Sequence, residues 1–473
     1  MPELELPESL TINAWTGEAV AASPLLTDAP RRWSIARAFP RYSVPLAAEP
    51  LDLRDWRNPK VGWGIVLPDN DALPDADRAT ANDAPEAIRA LVASRPNAVV
   101  LRYRKDVANQ GFLRRYYASR PRQDLAITGG SRGTAEQCIP HYLLIYGGPQ
   151  SIPWEFQYRL SLDFFVGRLD LEGQALERYV QALVSEWSGA GCQRASPVLW
   201  STDHAPNDIT HLMRLAIGEP LKARFTADDE TRSGLRALFA SEATSADLIA
   251  KLGEAKPALV VTTSHGMTGP LSKPVQMKTQ LGWLVAADHM PINPDALLAA
   301  WEPDGAVWYS HACCSAGGDG RTLFKDLVPA GSPVAQVLQG VADLGPAVAS
   351  CPRALLGAQK PLRAFIGHVE PTFDWTLQAQ TRQFLTDALL KALYDRMYLA
   401  DPEPVGLAFT ECYRLVGSLF AQWDQQVDKV ATAETADMRT ATRLAAMRTK
   451  LAALDRQAMV ILGDPTVALP RLK

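Results

Sequence analysis

From about residue 59 to residue 470 the chain repeatedly sets a short, almost wholly apolar run beside a stretch of helical spacing, and that alternation leaves few folds open. Residues 64–67, 98–101 and 142–146 have the length of buried strands, each closed by proline, glycine or charge. Residues 198–202, 259–263, 306–310, 347–350, 364–369 and 459–462 repeat the pattern further on. Between them lie helical stretches: residues 171–187 put Leu176, Tyr179, Val180 and Leu183 on one face, and Ile209, Leu212, Met213 and Ala216 fall at i, i+3, i+4 and i+7. Ser245 reads as the cap of a helix running to Leu252, and Ser332 before Pro333 reads as another helix start. Strands that are apolar throughout and alternate with helices predict an α/β protein with a largely parallel sheet.

Three regions are expected. Residues 1–58 are proline-rich with little periodicity and read as an irregular N-terminal arm. Residues 59–190 read as a smaller N-terminal α/β subdomain. A Ser/Gly/Ala/Pro-rich stretch at 188–197 marks the boundary to a second α/β domain, residues 191–473, whose sheet should have six strands. The charged stretch 422–456 reads as solvated helices.

With 47% hydrophobic and 21% charged residues the composition is that of a globular protein, and a net charge of −4 supplies no global field for nucleic acid or an anionic membrane. The N-terminal residues lack the order of a signal peptide, and no apolar run reaches the ~18–20 residues needed to cross a bilayer. The six cysteines are scattered except for one adjacent pair, with neither zinc-site spacing nor a disulfide framework. A cytoplasmic, bacterial protein with reduced thiols is expected. The seven histidines are dispersed and no HExxH, Walker A or dinucleotide fingerprint occurs, so neither metal nor cofactor is expected.

Two of the strand candidates end in reactive residues. Leu259-Val-Val-Thr-Thr runs into Ser264-His265-Gly266, and Ala306-Val-Trp-Tyr-Ser runs into His311-Ala312-Cys313-Cys314-Ser315-Ala316-Gly317. Open parallel sheets bind ligands at the carboxyl ends of their strands. A thiol attacks an acyl carbon as thiolate and needs a group to protonate the departing amine, work for which imidazole is suited near neutral pH. The Gly266 N–H, with that of Cys313, is a candidate oxyanion donor.

An apolar strand ending in His-Gly, followed about 50 residues later by one ending in Ala-Cys, resembles the layout of caspase-like cysteine peptidases (clan CD), specifically the gingipain and CHAT-domain branch. Tyr142-Leu-Leu-Ile-Tyr-Gly-Gly-Pro-Gln-Ser-Ile-Pro, Phe165-Val-Gly-Arg-Leu169, Phe365-Ile-Gly-His-Val-Glu370 and Leu462-Gly-Asp-Pro465 are similar to other segments of that branch, so the resemblance covers roughly residues 140–470. It implies a caspase-like αβα sandwich and a cysteine endopeptidase with Cys313 as nucleophile and His265 as acid/base, acting through an acyl-enzyme without a cofactor. It also implies a protein or peptide substrate, a role in bacterial defence or cell death, and release of activity by a partner protein or signal. One departure stands out. Metacaspase-like members carry an acidic residue two places before the cysteine, contributing to a pocket for basic side chains, and this chain has His311 there.

Cys314 is expected in the core, since adjacent strand-end residues point to opposite sides. His141, His289 and His368 read as structural histidines. Asp203, at the end of the 198–202 strand, is a candidate to orient His265, or else a solvated loop carboxylate. Two alternatives come from other classes: a catalytically silent module that binds a partner peptide in the same cleft, and a serine hydrolase built on Gly129-Gly130-Ser131-Arg132-Gly133. That GxSxG pattern needs a long helix directly behind the serine, and the following strand leaves room for two turns at most. The arginine-rich stretch 114–133 reads as an exposed, mobile loop and a site for cleavage or docking.

Overall fold

The computed structural model describes residues 9–15, 20–24, 51–324, 327, 331–373, 376–378 and 383–471. Residues 1–52 and 53–473 form separate compact units. In the first, where the sequence shows little periodicity, the described residues are two antiparallel strands, β1 (Ser9–Trp15) and β2 (Val20–Pro24).

The second unit is built on one sheet. In chain order its strands are β3 (Trp63–Pro68), β4 (Val99–Tyr103), β5 (Phe112–Arg115), β6 (Gln123–Ala126), β7 (Tyr142–Tyr146), β8 (Phe165–Leu169), β9 (Val198–Ser201), β10 (Arg236–Phe239), β11 (Leu259–Thr263) and β12 (Val307–His311). The short β13 (Gly317–Gly318) and β14 (Ala347–Val348) form a separate ribbon, and β15 (Ala364–His368) and β16 (Met459–Gly463) complete the main sheet. Across the sheet the order is β10-β9-β11-β12-β15-β16-β8-β7-β3-β4-β5-β6. Pairing is parallel except at β15/β16, β4/β5 and β5/β6. An α/β architecture with a mostly parallel sheet is therefore present, as the alternating runs predict.

The six-stranded sheet is corrected: the main sheet has 12 strands and runs through both stretches that the sequence presents as separate units. The join is made by β16, which pairs antiparallel with β15 and parallel with β8 through Leu462 and Arg168. Gly167 is required there, because a Cβ at that position would lie 2.1 Å from the Gly463 carbonyl oxygen. Asp464, fully buried, then ties the halves together by accepting from the Trp63 indole (3.0 Å) and from the Thr466 N–H and hydroxyl. The expected strand at 347–350 also falls outside the main sheet. Only Ala347 and Val348 pair, with β13, and Ser350 opens a helix, while β10 takes an edge place in the main sheet.

Helices form where the apolar spacing sets them. The helix Gly173–Val184 buries Leu176, Tyr179, Val180 and Leu183. The helix Pro333–Asp343 starts on Ser332, whose hydroxyl accepts from the Ala335 N–H. Capping of the helix Ser245–Ala255 comes from Thr244, one residue before the Ser245 expected. The stretch 114–133 is not a single loop. It contains the end of β5 and all of β6, and its arginines are engaged: Arg114 with Asp124, Arg115 with the Ala135 and Cys138 carbonyls, Arg120 with Glu136. Ser131 lies past β6 with no helix behind it, which removes the geometry a serine elbow requires. Among the described residues no helix is long and apolar enough to cross a membrane.

Candidate functional site

The parallel pair β11/β12 sets the site. Its register places Thr263 opposite His311, and the Ser264 N–H reaches the His311 carbonyl at 3.3 Å just beyond the last pair. Two residues further, at the same sheet edge, come His265 and Cys313. Adjacent strands lie about 4.8 Å apart, so the register brings the two segments side by side. Gly266 makes the approach closer still. A Cβ built on it would stand 1.9 Å from the Cys313 carbonyl oxygen and 2.9 Å from the Cys313 nitrogen and carbonyl carbon. The backbone after His265 is thus packed against the backbone of Cys313, and only glycine fits.

Gly266 bridges to Leu284, but the hydrogen bonds of that bridge run from Met267 N–H to Trp283 O (2.9 Å) and from Val285 N–H to His265 O (3.1 Å). Gly266 therefore sits at a non-hydrogen-bonded position of an antiparallel pair, with its N–H pointing away from that ladder.

His265 is held by a residue that the sequence did not single out. Its Nε2 lies 3.0 Å from an Asp208 carboxylate oxygen. The other Asp208 oxygen accepts from the Thr210 N–H (2.8 Å) and hydroxyl (2.5 Å), capping the helix Ile209–Met213. Burial works against the Asp208 charge, but the Thr210 hydrogen bonds and the neighbouring imidazole outweigh it and hold the carboxyl below its usual range. An ionised Asp208 fixes a proton on Nε2, which leaves Nδ1 as the basic nitrogen of His265. Asp203, a candidate to orient His265 or else a solvated loop carboxylate, is engaged elsewhere: one of its oxygens takes His211 Nδ1 (2.9 Å) and Arg214 Nε (2.8 Å). The apolar spacing after Asp208 marks it as a helix cap, but its second oxygen spans 57 residues to reach His265, and no local pattern carries that.

Cys313 is partly exposed and Cys314 fully buried, as expected for the pair. Cys314 has a left-handed backbone (φ 55°) and packs with Met277, Leu281 and Val341. Burial raises its thiol pKa well above the ordinary value. Burial also raises the Cys313 thiol, partly offset by Thr372, whose N–H donates to Sγ at 3.3 Å and whose hydroxyl lies at 3.8 Å. Thr372 is a second neighbour that no sequence pattern marks. Cys138 is the other partly exposed cysteine; Cys192, Cys351 and Cys412 are buried.

His311 lies beneath this edge, 4% exposed, with Nδ1 2.8 Å from the Tyr309 hydroxyl and Nε2 without a partner among the described residues. Burial pushes its pKa down to about 4, so it is neutral near pH 7. It stands edge-to-face with His368 (4.7 Å), and both line a cavity of about 60 Å³ with Thr376 and Asp455.

Glu370, 2% exposed, follows β15, and its carbonyl accepts from the Cys314 N–H. Burial, reinforced by Asp319, pushes its carboxyl up to about 8 against hydrogen bonds with Leu323 and Thr322. Above pH ~4.5 the unfolded chain releases this proton while the folded one keeps it, so the group removes stability as pH rises towards 8, by about 1.4 kcal/mol per pH unit at most. Glu370→Gln should melt near the wild-type temperature at pH 5 and clearly above it at pH 8.5. Parallel melting curves of the two proteins across that range would contradict a neutral buried Glu370.

No family model matches the chain, and no curated protein matches it.

Proposed function

We propose that the chain is a caspase-like cysteine endopeptidase of the gingipain/CHAT-domain kind, hydrolysing peptide bonds through Cys313 and His265. The observation that carries this reading is the juxtaposition at the end of β11 and β12: two register-matched parallel strands deliver a histidine and a partly exposed cysteine to one sheet edge, with Gly266 against the Cys313 backbone. In the first step Cys313 Sγ, deprotonated by His265, adds to the substrate carbonyl, and the Gly266 and Cys313 N–H groups take up the oxyanion. As the intermediate collapses to a thioester the imidazolium gives its proton to the departing amine. Water, deprotonated by the same imidazole, then releases the acid and restores the thiol. Asp208 orients His265 throughout. A neutral His311 offers no charge to an arginine or lysine side chain, so a basic preference does not follow from that position. A bacterial defence or cell-death role with an activating partner belongs to the same reading, on the strength of the sequence resemblance alone.

A catalytically silent, peptide-binding module is the second reading, favoured by one feature: the hydrogen bond to Cys313 Sγ comes from Thr372. The two readings separate on a peptide library. The enzyme should cleave a subset of peptides, with Cys313→Ala reducing cleavage to background. Peptide binding without cleavage, equal in both proteins, would support the silent module.

A further inference from the structure

His265 is gripped at its edge by Asp208, but its ring face meets another histidine. The His204 ring lies nearly parallel to it, with centroids 5.3 Å apart and planes inclined by 11°. His204 also meets the exposed His289, with ring centroids 4.1 Å apart. Both ring nitrogens of His204 are shielded from solvent and lack a hydrogen-bonding partner among the described residues. A buried, unsatisfied imidazole costs roughly 1–3 kcal/mol, so hydrogen bonding does not account for a histidine there.

The loop carrying His204 is fixed by the group that also fixes the Asp208 carboxylate. The Thr210 hydroxyl accepts from the His204 N–H (3.0 Å) and donates to Asp208. One hydroxyl thus sets the two contacts of His265, carboxylate at the edge and ring on the face. We propose, on the reading of Cys313 and His265 as a dyad, that His204 is a positioning residue: a flat, uncharged wedge that fixes the plane of the His265 ring so that Nδ1 stays turned to its work.

Charge supports the role. Burial, then the His289 and His265 rings, lower the His204 pKa, while Asp208 and Asp203 pull the other way, and the balance is a neutral ring. A neutral wedge neither competes with His265 for Asp208 nor repels the imidazolium that forms during the reaction. Among the described residues, Asp455, near the end of the helix Ala436–Gln457, is a charged group that acts on Cys313 from another element, and it raises the thiol pKa.

The test is the pH profile of Cys313 alkylation, with kcat and KM for a cleaved peptide, in folded His204→Ala, His204→Phe and His204→Leu proteins. Burial raises the thiol, so a displaced His265 moves the alkylation midpoint up. His204→Ala should raise that midpoint and lower kcat by about 10-fold or more with little change in KM, since small misplacements act on the chemical step. His204→Phe, which keeps the flat face without nitrogens, should restore both. If the alanine variant does not fold, the comparison of phenylalanine (wild-type midpoint) with leucine (raised midpoint) carries the test. A wild-type profile in His204→Ala, an equal loss in the phenylalanine variant, or equal profiles for phenylalanine and leucine would overturn the positioning role. Identical profiles for wild type and His265→Ala would instead overturn the dyad itself.

Discussion

Gly266→Ala should reduce peptide cleavage by about 100-fold or more. The added methyl has nowhere to go: it would sit 1.9 Å from the Cys313 carbonyl oxygen, and the atoms around it are backbone, not a side chain that can rotate away. The neighbours of Gly266 are tied on both sides, Met267 to Trp283 and His265 to Val285. Relief requires the end of β11 to separate from the turn at Cys313. Displacements of about 1 Å between reacting groups cost roughly 100-fold, and overpacking of this kind destabilises by about 1–3 kcal/mol. Thermal unfolding and hydrolysis rate measured on the same protein check both parts. A variant with wild-type activity would show that the two segments are not in the contact described.

His265→Ala should lower cleavage by about 100- to 10 000-fold, the range that one positioned acid/base group contributes. Asp208→Asn should cost less, about 10-fold. The amide oxygen still accepts from Nε2, but the charge that fixes the tautomer and steadies the imidazolium is lost. Asp203→Asn should leave the rate within about twofold, because Asp203 is engaged with His211 and Arg214. An order of effects with Asp203 above Asp208 would mean that Asp203, not Asp208, orients His265.

The strands that deliver His265 and Cys313 were legible because both are buried on two faces and so are written as unbroken apolar runs. Edge and partner elements were not. β10, half-buried along its length, has no such run. β5 and β6 are four residues each and carry arginine, proline and glycine around them, so their composition resembles a loop although their side chains are paired. The 12-strand sheet depends on β16 docking between β15 and β8, through contacts some 300 residues apart in sequence such as Leu462 with Arg168, and nothing local announces such a partner. The site divides in the same way. His265, Gly266 and Cys313 stand at strand ends where position alone suggests chemistry. Asp208, Thr372 and His204 earn their places only through the fold.

The central claim is that Cys313 is a thiol activated by His265, and limited alkylation followed by site-resolved mass spectrometry tests it most directly. Cys138, the other partly exposed cysteine, serves as an internal reference in the same digest. The account predicts that Cys313 is modified first in the native protein, that Cys192, Cys314, Cys351 and Cys412 stay unmodified until unfolding, and that His265→Ala slows Cys313 at least about 10-fold relative to Cys138. Dominant modification at Cys314 or Cys412, or a Cys313 rate unchanged by the loss of His265, would contradict it.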